Sequence, residues 1–264
     1  MASRAEQKAA ARAAREAHQR QLSVAQMRRK RLYGLGAVLA GAVIALVIVI
    51  VAGSGGPGAS APISPKVAKA TVAAVLSGIP QNGNTLGKAS APVTVTEYGD
   101  LVCPICRDFA VGPATQMIAN EVRAGKVKLV FRGLETASSG ANGGEYVASQ
   151  VAARAAGLQG RAWQYILLWY DEQLSESTPY VTDGFMQGIA AQVPGLSLTK
   201  WQSDRNNATL ANDVAADTRA AAAAGLDNPP QTPSITFTGP KGSTQPIVGL
   251  PSYSQLQAEI QAVS

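Results

Sequence analysis

The spacing of hydrophobic and polar positions changes several times along the chain, and each change predicts a different element. Residues 91–98 alternate between apolar and polar side chains, which predicts a strand. A helical spacing follows over residues 106–123, with a kink expected at Pro113, and residues 127–131 predict a second strand. Segment 93–131 is therefore expected to be a strand–helix–strand unit with parallel strands and a right-handed crossover.

The second half of the chain changes from helical to strand-like spacing. Residues 144–225 carry a long, mostly helical pattern, after which residues 234–237 predict a strand. A hairpin turn is expected at 239–242, with a partner strand at 245–248 and a final amphipathic helix at 252–263. This order predicts a mixed sheet with helices on both faces and a separate helical cap.

An uncharged, apolar run at residues 32–52 precedes these elements. At about 1.5 Å per residue, a helix of this length spans a hydrocarbon core of about 30 Å. A cleaved signal peptide is the alternative, but its apolar region is typically about 7–15 residues long. The nearby Ala59-Ser60-Ala61 site lies beyond the run and precedes Pro62, so the pattern favours an uncleaved membrane anchor.

Positive charge is concentrated ahead of this run. The chain of 264 residues has a net charge of +6, and residues 1–31 alone hold nine Lys or Arg and two Glu. The rest of the chain is close to neutral, so it offers no basic face of the kind that binds nucleic acid. Because Lys and Arg are enriched on the cytoplasmic side of a span, we expect the N-terminus in the cytoplasm and the following domain outside.

The chain thus divides into four predicted regions. A basic cytoplasmic tail covers residues 1–31, a transmembrane helix 32–52, and a Gly/Ser/Pro linker 53–65. Residues 66–264 form the folded domain, with a helical insertion at about 140–226. This domain is expected outside the membrane, in a compartment where disulfides persist.

The two cysteines, Cys103 and Cys106, are the clearest candidates for chemistry. At this spacing they can form a disulfide with little backbone movement, and at a helix start the first sulfur is stabilised as a thiolate. A zinc site needs more ligands, and the one histidine, His18, is far away in sequence. A structural disulfide would close too short a loop to stabilise much. Two reduced core cysteines are the remaining alternative, although Pro104 fits a helix start better.

Three segments resemble the DsbA-like class of thioredoxin-fold thiol:disulfide oxidoreductases, in a membrane-anchored bacterial form. They are EYGDLVCPIC at 97–106, QGRAWQY at 159–165 and QTPSITF at 231–237. The likeness covers about residues 80–264. It implies an α/β thioredoxin fold, in which a mixed central sheet is flanked by helices and carries an inserted helical subdomain.

The resemblance also implies roles for the residues of the site. Cys103 would be the exposed nucleophile and Cys106 the buried resolving thiol. Pro233 would form a cis peptide bond facing the disulfide, and Thr232 would present its backbone to an extended client chain. An ordinary trans proline in a turn is the alternative for Pro233.

Pro104 and Ile105 form the dipeptide between the cysteines. Many strongly oxidising members of the class have His where this chain has Ile105, and the imidazole charge stabilises the thiolate there. We therefore expect a less depressed thiolate pKa and a less oxidising couple than in those members.

Two charged residues are assigned to proton transfer by the same resemblance. Glu97 matches a buried acidic position that helps to move the proton of the resolving thiol, and Lys126 would be its cationic partner by its place in the next strand. A glutamate on the strand surface and a solvated loop lysine are the alternatives.

The features together predict an extracytoplasmic enzyme that exchanges disulfides with cysteine-containing secreted or envelope proteins. We expect a monomer with no metal and no cofactor beyond the Cys103–Cys106 disulfide. A membrane redox partner of the DsbB or VKOR type, or a reductase, would complete the cycle. A reductase or isomerase stays open, because Thr232 resembles the residue of some isomerase branches, and a non-catalytic anchored binding module is the third alternative.

Overall fold

The computed structural model describes residues 65–139 and 145–264, whose strands form one seven-stranded sheet. The strands are β1 (Gln81–Asn82), β2 (Thr85–Leu86), β3 (Val93–Gly99), β4 (Val127–Gly133), β5 (Ser234–Gly239), β6 (Gly242–Ser243) and β7 (Ile247–Val248). Their order is β1-β2-β4-β3-β5-β6, with β7 also paired to β5. β3 and β4 are parallel and the other pairs are antiparallel, so the predicted mixed sheet is confirmed.

Helices cover this sheet and fill the long connection between β4 and β5. Within the described residues the α-helices are α1 (Pro65–Leu76), α2 (Pro104–Val111), α3 (Pro113–Met117), α4 (Glu145–Gly157), α5 (Ala162–Glu172), α6 (Asp183–Gln192), α7 (Leu198–Asp204), α8 (Ala208–Ala223) and α9 (Tyr253–Val263). A π-helical turn (Ile118–Val122) follows α3, and a 3₁₀ turn (Ala137–Ser139) lies in the loop after β4. The helices α4 to α8 form the insertion. α1 packs on α5, α9 packs on α3 and β5, and α8 packs on β4 and α4.

The centre of the sheet positions the site. β3 and β4 bury alternate residues, because every second side chain points to the same face of a strand. Their parallel register runs from Val93 opposite Val127 to Gly99 opposite Gly133. The two strands therefore end level with each other, and the loops that follow them start side by side.

Two predicted boundaries differ from the structure for identifiable reasons. The helix expected at 106–123 starts earlier, at Pro104, and is interrupted at Gly112, after which Pro113 starts α3. The partner strand expected at 245–248 is reduced to β7, because Pro246 has no N–H to donate to a ladder.

The predicted tail at 1–31 and span at 32–52 lie outside the described residues. Among the residues that are described, no helix combines the length and the apolar character needed to cross a membrane.

Candidate active site

The cysteine pair lies at the N-terminus of α2. Cys103 is the N-cap residue, with extended backbone angles (φ −70°, ψ 122°), and Pro104 is in the first helical turn. Proline suits this position because it leaves no N–H unpaired and its φ is close to the helical value. The helix closes its first turn with the Arg107 N–H donating to the Cys103 carbonyl at 3.2 Å. The Cys103 sulfur is thus placed beside the N–H groups of that turn.

The two free thiols differ in exposure and in acidity. Both are buried, which corrects the expected exposure of Cys103: it keeps 6% of its surface exposed, and Cys106 keeps none. A hydrogen bond from the Cys106 thiol lowers the pKa of Cys103 from 9.0 to about 7 despite partial burial, and Thr232 and backbone N–H groups add to this effect. Burial, together with nearby negative charge, raises the pKa of Cys106 well above 9.0. Of the two thiols, Cys103 is therefore the more acidic and Cys106 the more deeply buried.

A second loop closes over the Cys103 sulfur. The Thr232–Pro233 peptide bond is cis, and the Cys103 thiol donates to the Thr232 carbonyl at 3.6 Å. The Pro233 carbonyl accepts from Gly249 N–H at 2.8 Å, which ties this loop to the residue after β7. Strand pairing places the loop, because Ser234 at the start of β5 lies opposite Tyr98 near the end of β3.

Glu97 is a buried acid beside the pair. It is 1% exposed, and neither carboxylate oxygen has a hydrogen-bond partner among the described residues. Burial, with a smaller contribution from the charge of Cys103, raises the pKa of Glu97 from 4.5 to about 8. Its charge in turn helps to raise the pKa of Cys106. The carboxyl group is therefore protonated at neutral pH and close to the resolving thiol.

Asp100 is a second buried acid, and no pattern in the sequence singles it out. Its Oδ1 accepts from the Val102 N–H at 3.0 Å and from the Ser138 hydroxyl. Its Oδ2 accepts from the N–H groups of Thr136 and Ser138, both at 2.9 Å. The carboxylate therefore joins the loop before Cys103 to the loop after β4.

The helical insertion also contacts the site. Gln173, just after α5, donates its side-chain amide to the carbonyls of Leu101 at 2.8 Å and Cys103 at 3.1 Å. Trp169 on the same helix donates to Leu101 O at 2.6 Å, and the Tyr170 hydroxyl donates to Asp100 O at 3.3 Å. These residues were missed, because an apolar helix pattern does not indicate which backbone groups its polar atoms reach.

Lys126 is not part of this arrangement, which corrects the pairing with Glu97 suggested by the sequence. It directly precedes β4, whose first residue pairs with Val93, whereas Glu97 pairs with Phe131 near the other end of the strand. The Lys126 ammonium is mostly exposed and forms an ion pair with Glu121 at 3.4 Å. Lys126 therefore does not lie beside the cysteines.

The strand order, the cysteine pair at a helix start and the facing cis-proline define a thioredoxin-fold protein with a dithiol site. The family described as thioredoxin matches residues 81–258, which include all seven strands and both cysteines. The chain belongs to this family.

Two curated relatives carry the name "probable disulfide bond formation protein D". The one from Bacillus anthracis is 25% identical over 138 residues, covering 50% of this chain and 60% of the relative. The one from Bacillus cereus is also 25% identical over 138 residues, covering 50% of this chain and 61% of the relative. The match therefore spans less than two thirds of either relative.

Solved structures extend the likeness to the fold. Oxidised BdbD from Bacillus subtilis superposes with a TM-score of 0.57 and 22% identity, over 70% of this chain and 96% of that one. The thiol-disulfide exchange protein α-DsbA2 from Wolbachia pipientis gives a TM-score of 0.54 and 12% identity, over 78% and 100%. At these identities both likenesses establish the fold alone.

Proposed function

We propose that this protein is a thiol–disulfide oxidoreductase that introduces disulfides into client proteins. The observation that carries the proposal is the difference between the two thiols at the helix start: Cys103 has a lowered pKa of about 7 and keeps 6% of its surface exposed, whereas Cys106 is fully buried. A low thiol pKa stabilises the reduced form of the pair and makes the sulfur a good leaving group. Both effects favour donation of a disulfide.

The exchange proceeds in two steps that conserve electrons. A client thiolate attacks the Cys103 sulfur of the Cys103–Cys106 disulfide, and Cys106 leaves as a thiolate, which gives a mixed disulfide. A second client thiolate then attacks the client sulfur of that bond, and Cys103 leaves as a thiolate. The client loses two electrons and two protons, and the cysteine pair gains two electrons.

Glu97 has the position needed to manage the proton of Cys106. When Cys106 leaves, its thiolate is buried, and a buried charge without compensation is costly. The Glu97 carboxyl, with a pKa raised to about 8, holds a proton at neutral pH and makes no hydrogen bond that its transfer would break. We infer that this carboxyl group gives its proton to the leaving sulfur and takes it back on reoxidation.

Apolar side chains around the site offer a surface for an unfolded client. Ile105, between the cysteines, is 41% exposed, and Val248 and Leu250 are 47% and 49% exposed. The latter two flank Gly249, which bonds the Pro233 carbonyl. An extended chain lying along the Thr232–Pro233 loop would bring its cysteine to Cys103 and its apolar neighbours to these side chains.

The same proposal covers the compartment and the partners, for which the support lies in the sequence. The predicted span at 32–52 and the basic residues before it support an anchored protein whose domain faces outward. Its clients would be cysteine-containing secreted or envelope proteins. Because each turnover leaves the pair reduced, the cycle needs a membrane oxidant such as a protein of the DsbB or VKOR type.

Replacement of Cys103 tests the proposal most directly. With Cys103→Ala, oxidation of a reduced, unfolded model client by the purified full-length protein should fall to the uncatalysed rate, because the variant cannot form the Cys103–Cys106 disulfide that the client attacks. Cys106→Ala is the matched control: it should also stop turnover, but with a client that carries a disulfide its Cys103 thiolate should attack that bond, release one client thiolate and stay in a mixed disulfide visible on a non-reducing gel. Undiminished oxidation by the Cys103→Ala protein refutes the assignment and leaves a binding module.

The redox state of the pair in living cells tests the direction. Alkylation of free thiols in intact cells should find Cys103 and Cys106 mainly oxidised. A mainly reduced pair would assign the protein to the reductases or isomerases of this fold instead.

A further inference from the structure

Two threonine hydroxyls from different loops meet beside the active-site sulfur. Thr136 belongs to the loop after β4, and Thr232 directly precedes the cis-proline. Their Oγ1 atoms are 2.6 Å apart, a short hydrogen bond in which either atom could be the donor. The Thr232 carbonyl accepts from the Cys103 thiol at 3.6 Å, and the Thr232 side chain helps to lower the pKa of both Cys103 and Cys106. The two hydroxyls thus form a chain that ends at the residue in contact with the Cys103 sulfur.

A hydroxyl has one proton, so the direction of this chain matters. If Thr232 donates to Thr136, its proton points away from the sulfur. If Thr136 donates to Thr232, the Thr232 proton is free to point at Cys103. The second arrangement is the one that stabilises a thiolate, because only a donor can lower the energy of the charged sulfur.

The surroundings of Thr136 favour the second direction. Its hydroxyl has one other acceptor in reach, Asp100 Oδ2, but at 3.4 Å. That oxygen already accepts two N–H groups at 2.9 Å, from Thr136 itself and from Ser138. A third, longer bond to the same oxygen competes poorly with the bond of 2.6 Å to Thr232.

We propose that Thr136 is a positioning residue, held by Asp100, which turns the Thr232 hydroxyl proton toward the Cys103 sulfur. The Asp100 carboxylate fixes the backbone of Thr136 by accepting from the Thr136 N–H. The Thr136 hydroxyl then sets the orientation of the Thr232 hydroxyl. The proposal rests on the proposed function, since it assigns a task at the same sulfur. It adds a residue from the β4 loop, which has no contact with either cysteine among those described above.

Other charged or titratable groups face the same sulfur and must be separated from this effect. They are Cys106 on α2, Glu97 on β3 and Tyr170 on α5. Arg107, next to Cys106, turns away to donate to the Tyr170 carbonyl at 3.0 Å. Replacing Thr136 removes none of these groups, so a change in the Cys103 pKa can be traced to the hydroxyl chain.

The test is a pH titration of the Cys103 thiolate by its ultraviolet absorbance in the reduced full-length protein. Thr232→Val should raise the pKa of Cys103 by about one, because a hydrogen bond to a charged group is lost. Thr136→Val should raise it by about half as much, because the Thr232 proton is no longer directed. The double variant should match Thr232→Val alone, since the first hydroxyl acts only through the second.

Two further variants separate orientation from packing. Thr136→Ser keeps the hydroxyl and should retain the wild-type pKa, whereas Thr136→Ala should behave like Thr136→Val even if the valine disturbs folding. Thr238→Val is the matched control, because it breaks a similar hydroxyl pair, with Ser243 at 3.0 Å, at the other end of β5. It should leave the titration unchanged.

The outcomes distinguish the two proposals. An unchanged pKa in both Thr136→Val and Thr136→Ala, or effects of Thr136→Val and Thr232→Val that simply add, would overturn the role of Thr136. Neither result depends on client oxidation, so the hydroxyl chain can fail while the proposed function stands. Conversely, a wild-type protein that does not oxidise clients would refute the function and leave the titration results interpretable.

Discussion

Glu97 and Asp100 are two buried acids at the end of the same strand, and their surroundings are opposite. Asp100 is fully buried and accepts four hydrogen bonds of 3.0 Å or less, from Val102, Thr136 and Ser138. Glu97 is equally buried and accepts none from the described residues. Asp100 is therefore committed to holding two loops together, whereas Glu97 is free to gain and lose a proton.

The difference shows how one short segment can be rigid and reactive at once. A carboxylate that is fully satisfied by hydrogen bonds stabilises one arrangement of its donors. A carboxyl group without partners is costly to bury in its charged form, which is why its pKa is raised to about 8. The anchor holds the loop before Cys103, while the charge of the unpartnered acid raises the pKa of the other thiol, Cys106.

Removal of the anchor should have the largest effect on stability. Asp100→Ala leaves the N–H groups of Val102, Thr136 and Ser138 and one hydroxyl without their acceptor in a buried site. We expect the free energy of unfolding to fall by about 4 kcal/mol, measured by urea denaturation. The reactivity of Cys103 toward an alkylating reagent should also become less dependent on pH near 7.

Asp108→Ala is the control for this change. Asp108 lies on α2, is about half exposed and makes one ion pair with Arg107 at 3.6 Å. Its replacement should cost about 0.5 kcal/mol or less. If Asp100→Ala costs no more than Asp108→Ala, the two-loop anchor does not exist in solution.

Replacement of the unpartnered acid, Glu97, should raise the free energy of unfolding, and only at pH values above about 4.5. The pKa of Glu97 is about 8 in the folded protein and 4.5 in the reference state, so the unfolded chain releases this proton first as pH rises. The wild-type protein therefore loses stability between pH 4.5 and 8, and Glu97→Gln should not. At pH 7 the variant should be more stable by about 3 kcal/mol, and near pH 4 the difference should vanish.

Glu135→Gln is the matched control, because Glu135 is an exposed acid in the loop after β4. It should not change the slope of stability against pH over this interval. A Glu97→Gln protein whose stability follows the wild-type slope would mean that Glu97 is charged or bonded in solution. Glu97→Gln should also slow the release of Cys106 from the disulfide, because the carboxyl group that would give its proton to the Cys106 sulfur is absent.

Part of this site is predictable from the sequence, because it depends on neighbours along the chain. Cys103, Pro104 and Cys106 predict a reactive thiol at a helix start, and the helix does start there. The strand-helix-strand order and the late hairpin likewise follow from local patterns, so the mixed sheet could be predicted. The thioredoxin resemblance supplied the partner loop at Thr232.

The remaining contacts depend on which elements the fold brings together. Thr136 and Ser138 lie in a polar loop with no recognisable motif, and they reach Asp100 only because β3 and β4 end level with each other. One signal was available: the carboxyl ends of adjacent parallel strands meet at one edge of a sheet. The predicted pairing of Lys126 with Glu97 is wrong for the same reason, because Lys126 precedes β4 and so lies at the opposite edge of the sheet.

A single bond within the anchor gives the smallest and most specific prediction. Ser138 donates its hydroxyl to Asp100 Oδ1, which also accepts from Val102 N–H at 3.0 Å. Ser138→Ala should cost about 1–2 kcal/mol in urea denaturation, because one hydrogen bond to a buried charged group is lost while its backbone bond stays. Ser139→Ala removes an exposed hydroxyl that bonds the Thr136 carbonyl at 2.6 Å, and should cost about 0.5 kcal/mol. If the two adjacent variants are equally stable, Asp100 holds this loop by its backbone N–H groups alone, and the hydroxyl of Ser138 adds nothing to the anchor.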